Sequence, residues 1–227
     1  GATLLHDVSF TVTPGELVSL VGPNGAGKST MLALLSGDLT PTAGHIDLAG
    51  HPPHRWPAQA LARERSVMTQ QHSQAFSFTA RELVELGRAP HDASDADERI
   101  VDEALADAEV EDLQRRDVTT LSGGELARTV FARTLAQDAR IVLLDEPTAP
   151  LDLRHQESLM RRARGLADEG RCVLVVLHDL SLAARYSDRI AVFCDGSLST
   201  LGTPQAVLTP ERLEEVYRQP VAVIAHP

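Results

Sequence analysis

Cysteine is nearly absent: the 227 residues hold only Cys172 and Cys194, each inside an apolar, strand-like run. So few thiols exclude a disulfide framework, and both are expected to be reduced and buried, which suits an intracellular protein. No apolar stretch approaches the roughly 20 residues that a membrane-spanning helix needs. The start, GATLLHDVSF, lacks the basic residues and apolar core of a signal peptide. Basic charge is short as well, with 21 Lys and Arg against 32 Asp and Glu and a net charge of −11. General nucleic-acid binding needs a basic footprint, so this balance argues against a nucleic-acid partner. Internal repeats and low-complexity tracts are missing too. What is present is an ordinary globular composition, 43% hydrophobic and 23% charged, in a length that suits one domain with room for an insertion.

Short apolar runs alternate with longer helical patterns, the mark of an α/β fold with a mainly parallel sheet. Residues 16–22 predict a strand and 29–37 a helix that stops at Gly37. Residues 44–53 predict a strand running into a turn, part of a small antiparallel β layer. Strand patterns return at 140–147, 171–179 and 189–196. Between them, about 72–118 is rich in Ala, Glu and Asp, carries helical periodicity and has no strand-like run. The organisation expected is one domain over 1–227, with a core of 1–71 and 119–227 and an inserted α-helical subdomain at 72–118.

The sharpest chemical signal is Gly22-Pro23-Asn24-Gly25-Ala26-Gly27-Lys28-Ser29-Thr30, which fits G-x-x-x-x-G-K-[ST] between a predicted strand and a predicted helix. Backbone N–H groups that turn inward around a phosphate require conformations that a Cβ resists, hence the glycines. The helix that follows presents its positive end to the β-phosphate. Lys28 has the reach for the β- and γ-phosphates, and the Ser29 hydroxyl suits Mg²⁺. A merely flexible glycine loop is the plain alternative, but a chance match would rarely fall at a strand-to-helix junction. The fold expected is therefore a P-loop nucleoside triphosphatase.

In IVLLDEP, Asp145 and Glu146 stand at the end of an apolar, strand-like run. Strand C-terminal ends line the ligand crevice of a parallel sheet, which sets this pair beside the P-loop. Asp145 is then placed to hold Mg²⁺ through water, and Glu146 to polarise the water that attacks the γ-phosphate. The competing reading is that one carboxylate only caps the next helix. His178 ends a third apolar run at the same edge; a lone histidine there is more often structural.

A P-loop alone leaves kinases, GTPases and helicases open. Leu121-Ser122-Gly123-Gly124-Glu125, about twenty residues ahead of the Asp145 strand, resembles the signature of the ATP-binding-cassette (ABC) family. Gln70 in RSVMTQQ, Asp152 in TAPLDLRHQ and His178 are similar to that family's Q-loop, D-loop and switch histidine, in the family's order. The resemblance spans essentially the whole chain. It implies an ATPase whose Ser122, Gly123, Gly124 and Glu125 serve the γ-phosphate of a second copy, in a two-fold head-to-tail homodimer. It also implies that Gln70 senses the metal, that His178 senses the γ-phosphate, and that the helical insertion receives a membrane partner. Two departures stand out. The D-loop reads Ala149-Pro150-Leu151-Asp152 where the family usually has a sequence like SALD, and no adenine-stacking aromatic precedes TLLHDVSF, so an upstream segment is expected to be missing.

The stretches QHSQAFSFTARELVELGRAPH, LHDLSLAARYSDRI and GTPQAVLTPERLEEVY resemble bacterial importers of iron–siderophores, vitamin B12 and haemin, with haemin importers the most similar. The resemblance implies two copies of a polytopic permease, a periplasmic or lipoprotein haem-binding protein acting indirectly, and a peripheral position on the cytoplasmic face of the inner membrane. A chromosome-maintenance or DNA-repair ATPase would insert a long coiled coil, and 72–118 has no sustained heptads. A translation factor of this type would carry two cassettes and a basic linker.

Overall fold

The computed structural model describes residues 4–69 and 78–224. Its centre is one six-stranded sheet. In chain order the strands are β1 (Leu17–Val21), β2 (Arg65–Met68), β3 (Ile141–Asp145), β4 (Cys172–Val176), β5 (Arg189–Cys194) and β6 (Ser197–Gly202), arranged β2-β3-β4-β1-β5-β6 across the sheet. The first five strands in that order pair in parallel, and β6 returns antiparallel on β5.

Strand alternation splits the core in two. Leu17, Val21, Val142, Leu144, Val173 and Val175 face one side, while Val18, Leu20, Leu143, Leu174 and Val176 face the other. Both faces are therefore dry, as expected when helices cover a parallel sheet. Helix α1 (Lys28–Ser36) packs Met31 and Leu32 onto the second face. A short helix, α2 (Ala58–Glu64), leads into β2.

Residues 78–120 hold α3 (Ala80–Glu85), α4 (Asp97–Asp107), three single 3₁₀ turns and one antiparallel bridge, Thr79 with Asp117, but no strand. Helix α5 (Gly123–Ala136) carries Ala127, Val130 and Phe131 into the core that α3 and α4 share. The remaining helices, α6 (Leu153–Asp168), α7 (Leu180–Tyr186), α8 (Pro204–Val207) and α9 (Pro210–Tyr217), follow β3, β4 and β6.

Two local expectations are corrected. Residues 44–53 form no strand; they make one antiparallel bridge, Leu48 with His51. Gly50, in a left-handed conformation at φ 90, turns the chain there, and Pro52 and Pro53 offer no N–H to extend a ladder. Among the described residues, full antiparallel pairing is confined to β6 on β5. The cysteines are half-buried, not buried, because Cys172 opens β4 and Cys194 closes β5. No described helix is long and apolar enough to cross a membrane.

Candidate active site

The strand order decides what can meet. β4 lies between β3 and β1, so the segments leaving β1, β4 and β3 emerge side by side at one edge of the sheet. Those segments carry the P-loop, His178 and the Asp145-Glu146 pair.

The loop 22–30 turns through left-handed backbone at Gly22, Gly25 and Gly27, with φ of 143, 80 and 99. At Gly22 the requirement is also spatial, since a Cβ there would stand 2.1 Å from the carbonyl oxygen of Phe193. Asn24 and Gly25 are exposed, whereas Ala26 and Lys28 are buried. Gly27 caps α1 without any side-chain hydrogen bond, so the first-turn amides of α1 have no side-chain acceptor at the cap. Lys28 Nζ curls back, donating to the carbonyl oxygens of Gly22 at 2.8 Å and Pro23 at 3.0 Å. Burial pushes the Lys28 ammonium below its ordinary pKa, and the nearby carboxylates of Glu146 and Asp145 oppose that shift.

The exposed Ser29 hydroxyl donates to Asp145 Oδ1 at 3.3 Å, which joins the start of α1 to the end of β3. Burial raises the Asp145 carboxyl above the usual carboxylate range; Ser29 counters this and the adjacent Glu146 adds to it. Neither acid caps the next helix. Asp152 does so for α6, accepting from His155 N at 3.0 Å, and its carboxylate also lies 2.8 Å from His155 Nδ1.

β4 ends at Val176, so His178 stands two residues beyond the strand, just before Asp179, which caps α7. His178 Nε2 lies 2.6 Å from Glu146 Oε1. The histidine is thus brought to the glutamate. Glu146 itself sits at φ 50, a left-handed conformation uncommon for a residue with a Cβ. The carboxylate is aimed by a turn and held by an imidazole.

Ser122 caps α5 in a reciprocal box: its hydroxyl accepts from Glu125 N at 3.3 Å while Glu125 Oε2 accepts from Ser122 N at 2.7 Å. Glu125 also pairs with Arg116 at 3.1 Å, so its carboxylate is committed to building the turn. Ser122 and Gly123 are exposed. A Cβ on Gly124 would lie 3.2 Å from the Pro150 carbonyl oxygen, so the structure seats this turn on the Pro150–Leu151 segment and not on its own P-loop. Gln70 lies outside the described residues. Glu109 and Ser158, taken up below, carry no signal in the sequence, because an acidic residue in a turn and a serine on a distant helix look like solvated surface.

The arrangement of a phosphate cradle, a hydroxyl–carboxylate pair and a histidine-held glutamate at one sheet edge defines a P-loop nucleotide hydrolase. The family model described as ABC transporter matches residues 5–149. The hemin import ATP-binding protein HmuV of Nocardia farcinica is 52% identical over 227 residues, covering 99% of this chain and 79% of that protein. The cobalamin import ATP-binding protein BtuD of Halobacterium salinarum is 45% identical over 231 residues, covering 100% of this chain and 58% of that protein. A dimeric post-hydrolysis structure of the ATP-binding cassette MJ0796, bound to ADP and Pi, superposes with a TM-score of 0.81 at 31% identity, covering 88% of this chain and 90% of that one.

The chain belongs to the ABC transporter family. Within it, this is an ATP-hydrolysing subunit. ATPase cassettes of the family dimerise and pair with membrane permease components.

Proposed function

We propose that this chain powers haemin uptake, hydrolysing ATP at two sites shared between two copies of itself. Two copies of a membrane permease would sit on the inserted segment 72–118, and a haem-binding protein would deliver the cargo from the other side. That places the chain peripherally on the cytoplasmic face of the membrane. The observation that carries the ATPase reading is the meeting of Ser29, Asp145, Glu146 and His178 at the ends of three adjacent strands.

In this reading the amides of 22–30 and the Lys28 ammonium bind the β- and γ-phosphates, and Glu146 accepts the proton of the attacking water while His178 fixes its carboxylate. Ser29 and Asp145 are hard oxygen donors 3.3 Å apart, a donor set that suits Mg²⁺, with Asp145 acting through water and Gln70 as a further expected ligand. The cation, when bound with ATP, would offset phosphate charge.

Ser122, Gly123 and Gly124 would complete the partner's site. The exposure of Ser122 and Gly123, and the seat of Gly124 against Pro150, favour that assignment. Mixing a Ser122→Arg variant with a Lys28→Ala variant, each inactive alone, is expected to return about a quarter of the parental activity: half of the dimers are mixed, and each holds one sound site. No recovery, with both variants folded, would exclude a shared site.

The cargo rests on likeness to importers whose names specify haemin, at 52% identity over nearly the whole chain. Cobalamin is the second reading, because an import protein named for it is 45% identical. In liposomes holding the transporter, haemin-loaded binding protein should raise ATPase several-fold over the unloaded form. Stimulation by cobalamin or a ferric siderophore instead would reassign the cargo.

A further inference from the structure

Glu109 stands just past the end of α4 with φ 55, a left-handed position where glycine would fit without strain. Its carboxylate is fully engaged. Oε1 accepts from the Ser158 hydroxyl at 2.5 Å, and Oε2 accepts from Arg154 at 2.9 Å. Its backbone oxygen accepts from the Arg128 guanidinium. The Ser158 hydrogen bond, with the Arg154 charge nearby, holds the carboxyl below the usual carboxylate range. Two residues earlier, Asp107 pairs with Arg162 at 2.6 Å.

Arg154, Ser158 and Arg162 are spaced by four, so they form one stripe along α6. The end of α4 therefore lies clamped along that stripe. Arg128 belongs to α5, whose first residues are the Ser122 turn, and α6 begins at its Asp152 cap. One residue thus touches the helix that carries the signature turn and the helix that carries the D-loop. The two helices' leading ends are themselves in contact, Gly124 against Pro150 and Leu151. Gln156 Nε2 pins the D-loop further, donating to the carbonyl oxygens of Thr148 at 3.2 Å and Leu151 at 3.0 Å.

We propose that Glu109 is a positioning residue that fixes the signature turn and the D-loop as one unit and ties that unit to the helical segment. It touches no nucleotide. It acts through α5 and α6 on the face offered to the second copy, and so rests on the shared-site reading above. A force applied to the helical segment would then reach the D-loop through the carboxylate of Glu109 and α6, alongside the packing of α3 and α4 on α5.

The test uses the full chain with Glu109→Gly, which removes the carboxylate's ties to Ser158 and Arg154 on α6, keeps the backbone oxygen that Arg128 bonds, and at the same time relieves the left-handed backbone. Its thermal midpoint is expected to stay within about 3 °C of the parent. ATP affinity of the dilute, monomeric chain should be unchanged, while kcat falls about five- to tenfold and the Hill coefficient for ATP drops toward one. Glu109→Gln, which keeps a hydrogen bond to Ser158, should retain most of kcat. In the Glu146→Gln background, adding Glu109→Gly should weaken ATP-dependent dimerisation by a similar factor.

Parental kcat, cooperativity and dimerisation in Glu109→Gly would overturn the inference. So would a midpoint lowered in step with activity, because that would make Glu109 merely structural. Failure of Glu146→Gln alone to dimerise with ATP would instead overturn the shared-site reading, and this inference with it.

Discussion

Glu146→Gln is expected to lower kcat by a factor of about 10² to 10⁴, the span that general-base catalysis contributes, while ATP binding persists. Glutamine has the shape of glutamate, and its side chain remains within reach of His178 Nε2, now 2.6 Å from the carboxylate. The substitution therefore removes the proton-accepting charge and little of the geometry. It also removes one of the influences that raise the Asp145 carboxyl, so Asp145 ionises more readily and cation binding at the Ser29 side does not suffer. With the γ-phosphate retained, the ATP-linked dimer should accumulate and be visible by size-exclusion chromatography or light scattering. Turnover near the parental rate would remove Glu146 from the role of base.

Lys28→Ala acts one step earlier, on binding. The ammonium sits inside the curve of its own loop, bonded to the Gly22 and Pro23 carbonyls, so it is already turned toward the space that the loop amides enclose. Losing charge-assisted contacts to two phosphates should cost about 3 kcal/mol, near a hundredfold in ATP affinity. Titration with a fluorescent ATP analogue, alongside a melting curve, separates this from misfolding. The two loop carbonyls become free to bond water, so a fall of only a few degrees is expected. An unchanged dissociation constant would mean that the phosphates are held elsewhere.

The parts of the molecule legible in its sequence are those where chemistry and local conformation coincide. Glycines at 22, 25 and 27 announce both a phosphate-facing turn and the left-handed angles that the turn adopts. The run IVLLD is buried on both faces of a parallel sheet, so it reads as a strand and its polar end as the site edge. Residues 44–53 misled because the apolar spacing suggests a strand, while two left-handed glycines, Gly44 and Gly50, and two prolines decide the outcome. The four-residue β2 and the short α2 were not foreseen, since neither is long enough to show a period. Glu109 was illegible for another reason. Its partners lie 19, 45 and 49 residues away, and only folding brings α4, α5 and α6 to a common point.

Gly22 has a mechanical consequence. With the Phe193 carbonyl oxygen only 2.1 Å from where a Cβ would be, the first bend of the cradle is pressed against the backbone of β5, between strands buried on both sides. That half of the machine is an anvil: it has nowhere to recede. The travel that accompanies the gain and loss of a phosphate then falls to the hammer, the capped helices and surface turns on the opposite flank, which are joined to the sheet by packing and not by a strand ladder.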